Sequence, residues 1–164
     1  KVSDILILDA NTLIDFMKAD RTIIKLICSN VGKICLATPV LEEVSQICES
    51  DCVEFGITLI EPTIEQFIIA SMELSPLSFQ DKICLLLAKE KGLICVTNDV
   101  PLRKACLSEG IPLFWGIELI CKLVDAGGLP VKHAKEIIMN IQLSNPKYIT
   151  KTIIENAFSI LDKL

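Results

Sequence analysis

The stretch Ile5-Leu6-Ile7-Leu8-Asp9-Ala10-Asn11-Thr12-Leu13-Ile14-Asp15 decides how this 164-residue chain is read. Its first four residues are an unbroken apolar run. Such a run reads as a strand buried on both faces, the pattern of a parallel sheet covered by helices. Asp9 ends the run where another aliphatic residue would continue it. Asn11 and Thr12 are helix starters, and Leu13, Ile14, Phe16 and Met17 give the next segment an apolar stripe. A carboxylate therefore stands at the carboxyl end of a buried first strand, where open α/β sheets place their ligand sites. The same position suits a helix N-cap, and this stretch alone does not separate the two roles.

Composition narrows the class. The length is that of one domain, and 51% apolar residues fill a good core. Mean hydropathy is +0.53, yet no apolar run approaches the roughly 18 residues needed to span a bilayer. The excess is read as a large core plus a subunit interface. A net charge of −5 argues against a broad nucleic-acid-binding surface, which is normally basic, but not against an enzyme that meets nucleic acid at one metal-filled cleft. The eight Cys lie mostly inside apolar segments, with no CxxC pair, and Cys48 and Cys52 lack a second pair to complete a zinc site. They read as buried thiols. With no visible signal peptide, a reducing, cytoplasmic location is expected.

Further strands are expected at Ile34–Ala37, Gly56–Ile60, Leu93–Val96 and Gly110–Phe114, alternating with helices. That order means a mostly parallel central sheet in a three-layer α/β/α arrangement with right-handed crossovers. Thr38-Pro39 opens a helix expected to run to about Cys48. At about 100° per residue, Glu43 falls beside Val40 and Ile47, on the apolar edge, and Glu42 on the solvated face. Glu49 to Phe55 reads as a polar linker. Thr63 to Met72 reads as a helix with Ile64, Phe67, Ile68 and Met72 inward. Ser78 caps a helix to about Lys91, in which Asp81 lies in the first turn between Cys84, Leu85 and Ala88. Asp81 is the second carboxylate set against apolar neighbours. Asp99, after Thr97-Asn98, repeats the placement of Asp9.

From Gly116 onward the chain is helical. Residues 1–126 are read as the catalytic unit, and 127–164 as a helical extension packed on it or on a partner copy. His133, the sole His, reads as a solvated helix residue, which argues against His-centred zinc sites and a Ser-His-Asp triad.

Four acids converging on one edge repel one another, and the repulsion is relieved either by protonating some of them or by a divalent cation among them. All-oxygen donors suit Mg²⁺ or Mn²⁺, which lowers the pKa of a bound water and holds a phosphate oxygen. Asp9 and Asp99 are the expected primary ligands, with Glu43 and Asp81 completing the site or orienting the water. Asn11, Thr12, Thr97 and Asn98 are candidates to hold the ligands in place.

The segments Ile7-Leu8-Asp9-Ala10-Asn11-Thr12-Leu13-Ile14, Thr38-Pro39-Val40-Leu41-Glu42-Glu43-Val44, Leu77-Ser78-Phe79-Gln80-Asp81 and Val96-Thr97-Asn98-Asp99-Val100-Pro101-Leu102-Arg103 together resemble the motifs of PIN domains, over about residues 3 to 120. The resemblance implies a three-layer α/β/α fold and a Mg²⁺- or Mn²⁺-dependent ribonuclease, frequently a homodimer. Many small members are VapC-like toxins neutralised by an antitoxin protein. Asp9, Glu43, Asp81 and Asp99 match the family's acidic positions, with Glu42 a substitute for Glu43. Where the family often has Ser or Thr two residues after the first Asp, Asn11 stands and Thr12 follows. The basic residues nearest these motifs, Lys18, Arg21, Lys82, Arg103 and Lys104, are candidate phosphate contacts. A haloacid-dehalogenase-type phosphatase needs a second Asp where Asn11 stands. The alternative of another class is a non-catalytic PIN-like binding or dimerisation module, for which the acidic surface and the helical tail speak.

Overall fold

The computed structural model describes residues 4–164. In chain order the elements are β1 (Asp4–Leu8), α1 (Ala10–Ala19), α2 (Thr22–Asn30), β2 (Gly32–Ala37), α3 (Thr38–Glu43), α4 (Glu49–Phe55), β3 (Thr58–Ile60), α5 (Ile64–Met72), α6 (Phe79–Lys91), β4 (Ile94–Val96), α7 (Val100–Ser108), β5 (Leu113–Phe114), α8 (Gly116–Asp125), α9 (Val131–Ser144) and α10 (Lys151–Asp162). The strands form one sheet in the order β3-β2-β1-β4-β5, every pair parallel. Helices flank it, giving the α/β/α sandwich with C-terminal helices expected from the sequence.

The strand order explains the composition of the strands. β1 lies at the centre, and Leu6, Ile7 and Leu8 have no exposed surface. Ile34, Leu36, Cys95 and Val96 on the adjacent strands are equally covered. The chain steps outward from β1 through β2 to β3, then returns across the sheet and continues on the other side through β4 and β5. The point where direction reverses lies between β1 and β4. Ligands of open α/β sheets bind outside the strand ends at such a point.

Gly32 allows β2 to start beside β1. A Cβ there would stand 2.7 Å from the Asp4 carbonyl oxygen, its register partner's backbone. No side chain larger than hydrogen fits without moving the β1–β2 ladder.

Three expectations need correction. The helix opened by Thr38-Pro39 stops at Glu43, because Val44 takes extended backbone (φ −95°, ψ 105°) and buries its side chain in the core. The supposed linker from Glu49 is helix α4. Asp51 accepts from the Cys48 backbone N–H at 3.0 Å, and acids in the first turn suit the helix dipole. Finally, α5 turns its apolar residues outward. Its buried positions are Gln66 and Ala70, whereas Ile64 is 81% exposed, Phe67 51% and Met72 76%. Gln66 is held by a reciprocal cap with Thr63 and by donating its amide to Glu90, and this fixes the helix with its polar side inward.

The C-terminal helices pack on the rest. α9 lies against α1 and α8, and α10 lies against α8 and α9. Their buried residues are Ala134, Ile137, Ile138 and Ile141 on α9, and Ile154, Ala157 and Leu161 on α10. His133 on α9 sits 3.4 Å from the Asp20 carboxylate. Among the described residues no helix is long and apolar enough to cross a membrane.

Candidate active site

The site begins with a ladder that runs one residue past the strands. Leu8 pairs with Val96, and the Asp9 N–H donates to the Val96 carbonyl at 3.3 Å. The Thr97 N–H in turn donates to Phe114 O at 3.1 Å. Asp9 and Thr97 therefore end adjacent strands side by side. The Thr97 hydroxyl donates to Asp9 Oδ2, and the Thr12 N–H donates to Asp9 Oδ1 at 2.9 Å. Asp9 is thus both the N-cap of α1 and a buried carboxylate, 1% exposed. The two sequence readings describe one residue.

Asp99 has the same arrangement on β4. It caps α7 by accepting from the Leu102 N–H at 3.0 Å, and its own N–H donates to Thr97 Oγ1 at 3.0 Å. Thr97 hence connects the two acids: its hydroxyl accepts a hydrogen bond from the Asp99 backbone N–H and donates one to the Asp9 carboxylate. Thr12 adds a weaker bond to Val96 O at 3.4 Å. Asn98 is buried and accepts from the Gly116 N–H at 3.0 Å. A Cβ on Gly116 would meet Asn98 Nδ2 at 3.1 Å and Thr12 Cγ2 at 3.2 Å, so the start of α8 closes tightly over this turn. Asn11 is exposed.

Asp81 is half-buried in the first turn of α6, its N–H donating to the Ser78 hydroxyl at 3.1 Å. Burial, followed by the Asp9, Asp99 and Glu43 carboxylates, pushes its pKa up to about 7. Asp9 is raised as well, chiefly by burial and further by Asp99, against the bonds from Thr97 and Thr12. The other three predicted acids therefore all add to the effect of burial on Asp81. Glu43 is the exposed member. It ends α3 and, with Glu42, lines a cleft of about 410 Å³ whose other walls include Glu61, Phe67, Phe79 and Gln80. The rings of Phe67 and Phe79 meet edge to face, with centroids 4.8 Å apart. The expected contrast between a sheltered Glu43 and a solvated Glu42 does not hold, because α3 ends before its last turn can bury either.

The donor set is all oxygen, and mutual repulsion of this kind is what a hard divalent cation relieves. In chemistry the residues fit such an ion. In position, Asp9 and Asp99 are held as helix caps, and among the described residues no three His, Cys, Asp or Glu side chains gather around a common point.

The basic candidates divide. Arg103 donates to Thr97 O at 2.8 Å and Phe114 O at 3.3 Å, and its guanidinium lies 3.6 Å from the Trp115 ring centroid. It braces the ends of β4 and β5 instead of facing outward for phosphate. Lys82 donates to the Glu73 carbonyl, and Arg21 bonds Gln46 O and Asp51. Lys104 and Lys18 are exposed. Lys104 lines a second cleft, of about 490 Å³, with Ser75, Leu77, Val100 and Ser108.

One buried acid is missing from the sequence expectation. Asp15 on α1 is 6% exposed and takes both bonds from Asn145 Nδ2, at 3.2 and 3.4 Å. Burial and the Asp9 charge push its pKa up to about 6. The signal was present: Asp15 stands between Ile14 and Phe16, an acid among apolar neighbours like Asp81.

The fold is similar to that of a PilT N-terminus (PIN) domain protein from the hyperthermophilic archaeon Sulfolobus solfataricus. The TM-score is 0.54 and the identity 12%, covering 74% of this chain and 94% of that one. The fold is PIN-like. No protein-family model matches the sequence, and no curated protein matches it. The likeness therefore concerns the path of the chain, and the chemistry rests on the residues above.

Proposed function

We propose that this PIN-like chain is a metal-dependent endoribonuclease that hydrolyses RNA phosphodiester bonds. The observation that carries the reading is the pair of acids at the ends of β1 and β4, Asp9 and Asp99, joined through the Thr97 hydroxyl where the sheet reverses direction. Asp9, Asp81, Asp99 and Glu43 are the residues to hold Mg²⁺ or Mn²⁺. When bound, the ion supplies an activated water and a counter-charge for the phosphate. Thr97 and Thr12 orient the Asp9 carboxylate, and Asn98 and Gly116 hold the turn that presents Asp99. Lys104 is the exposed cation nearest in sequence to Asp99, and it is proposed to meet the flanking phosphate.

A homodimer is proposed on the exposed apolar face of α5, since a patch of that kind on a monomer is unusual. An antitoxin partner, as for VapC-like toxins, is proposed from the sequence resemblance alone. The eight free thiols support a reducing, cytoplasmic setting.

The second reading is a non-catalytic binding module. It is favoured by the absence, among the described residues, of three ligands already gathered around a point.

Cleavage of labelled structured RNAs in Mn²⁺ or Mg²⁺, with EDTA and Asp9→Asn as controls, tests the proposal. Asn still caps a helix well, so the variant keeps α1 while losing the charge. Cutting that requires metal and vanishes in Asp9→Asn supports the nuclease. No cutting, together with no Mn²⁺-dependent thermal shift, moves the assignment to the binding module.

A further inference from the structure

The ladder that brings Asp9 beside Thr97 continues one strand further. Val96 pairs with Phe114, and the Thr97 N–H donates to the Phe114 carbonyl at 3.1 Å. Trp115 therefore follows the end of β5 as Thr97 follows the end of β4 and Asp9 the end of β1. Neighbouring strands lie ~4.8 Å apart, so the backbone of Trp115 stands about 10 Å from that of Asp9, on the same edge of the sheet. Trp115 is the one Trp of the chain, and it is half-buried.

The indole is backed on one side. Arg103 bonds Thr97 O and Phe114 O and sets its guanidinium 3.6 Å from the ring centroid, against one face. Elsewhere Trp115 lines a groove of about 310 Å³ between α8 and α10, to which Arg103 contributes nothing. The walls are Ile117 and Cys121 from α8 and Ala157 and Ile160 from α10, so most of the lining is apolar. The polar groups are Glu118 and Asn156. Glu118 Oε1 accepts the Trp115 N–H at 3.1 Å and so fixes the backbone that carries the ring. Asn156 is exposed at the mouth.

These features narrow the class of ligand. An aromatic wall, apolar flanks and a few polar groups suit a flat ring with a polar edge. Among the described residues no Lys or Arg lines the groove, and the Glu118 carboxylate repels a phosphate. The base of a nucleotide therefore fits where its backbone does not. The Asn156 amide offers a donor and an acceptor together, the pair that an adenine edge takes. The cleft beside Glu43 does not serve the same end, because Glu42, Glu43 and Glu61 present three carboxylates to a polyanion.

We propose that the groove between α8 and α10 is a nucleobase subsite, in which an unpaired base flanking the cut bond stacks on Trp115 while Arg103 backs the ring. The base comes from a single strand or a loop, since a paired base keeps both its faces in the stack. That it belongs to RNA rests on the nuclease reading above. The C-terminal helix α10 is then part of the substrate surface and not merely a cover for the sheet.

The test uses the whole chain with Asp9→Asn, in Mg²⁺, so that bound RNA stays uncut. One probe is oligoadenylate. The other is an abasic oligonucleotide of the same length, which keeps the phosphates and lacks the bases. Trp115 emission reports stacking directly, because no second Trp contributes. Affinity is read separately, from the anisotropy of a labelled oligonucleotide.

Oligoadenylate is expected to quench Trp115 emission, and the abasic strand is not. Trp115→Ala is expected to weaken oligoadenylate binding about 5- to 150-fold, the range for loss of one base–aromatic stack, and Trp115→Phe to recover most of it. Ile160→Glu charges the rim of the groove, where Ile160 is 47% exposed. It is expected to weaken binding more than Leu143→Glu, which adds the same charge outside the groove at a residue 75% exposed. That pair decides the matter where Trp115→Ala does not fold. Quenching by neither strand, or equally by both, overturns the proposal. So does a folded Trp115→Ala that binds oligoadenylate as tightly as its parent, or an Ile160→Glu that matches Leu143→Glu. Base-dependent quenching in a protein whose Asp9-bearing parent cuts no RNA keeps the subsite and ends the nuclease reading, and cutting without such quenching does the reverse.

Discussion

Thr97 donates its hydroxyl to the carboxylate of Asp9 across 88 residues of sequence, and both side chains are buried. The pair exists because β1 and β4 are neighbours whose ladder extends one residue beyond the strands. Replacing Thr97 by Val keeps the shape but leaves the Asp9 oxygen without its donor. The expected loss in stability is about 1–3 kcal/mol, read from urea denaturation, and Thr97→Ser recovers most of it. A Val variant as stable as the parent would show that the bond contributes nothing.

Stability should also depend on pH with a defined sign. Asp81 and Asp15 have folded-state pKa values raised from 3.8 to about 7 and about 6. Between these values and 3.8 the folded protein holds more protons than the unfolded chain, so its stability falls as pH rises. In EDTA, the melting temperature should drop from pH 4 towards pH 7 and level off above. Asp81→Asn should remove the upper part of that decline. A flat or rising profile over this window would contradict the burial of Asp81 and Asp15 beside other carboxylates.

Arg103 and Lys104 are adjacent, and their substitutions should separate. Arg103→Ala removes two bonds to carbonyls and the stacking on Trp115, and is expected to destabilise the fold by about 2–3 kcal/mol. Arg103→Lys recovers little, since an ammonium cannot both stack and span two carbonyls. Lys104→Ala should leave stability within about 0.5 kcal/mol, because the side chain is exposed. Chemical denaturation followed by Trp115 fluorescence measures both.

The outward face of α5 gives a prediction about assembly. Ile64→Glu and Met72→Glu place charges where Ile64 is 81% and Met72 76% exposed, so folding should be unaffected. The parent protein is expected to sediment as a dimer and both variants as monomers. A monomeric parent would remove the case for a dimer through this face.

The sheet and the acidic edge were legible because each strand holds a short apolar run and each acid interrupts a pattern. Asp9 and Asp99 follow Leu8 and Thr97-Asn98 at strand ends, and no helical or strand period disguises them. The orientation of α5 was not legible. Its aliphatic residues outnumber the polar ones, and the periodicity assigns them inward. The buried face is instead chosen by Gln66, whose amide finds Thr63 and Glu90. The early end of α3 was hidden for a similar reason: Val44 fits a helical stripe as well as it fits the extended turn it adopts. The bond from Asn145 to Asp15 spans 130 residues, and no local pattern announces such a partner.

The reversal of the sheet between β1 and β4 also sets an order of events during synthesis. β1, β2 and β3 can pair as they leave the ribosome, but Asp9 has no Thr97 beside it until β4 arrives. At ~5–20 residues per second, the 88 residues between them take about 4–18 s to make. A nascent chain broken off between Asp81 and Thr97 carries Asp9, Glu43 and Asp81 without Asp99 or the turn that holds it. The order of the strands thus acts as a delay: whatever chemistry the acids perform together cannot begin before β4 and the turn after it have been made.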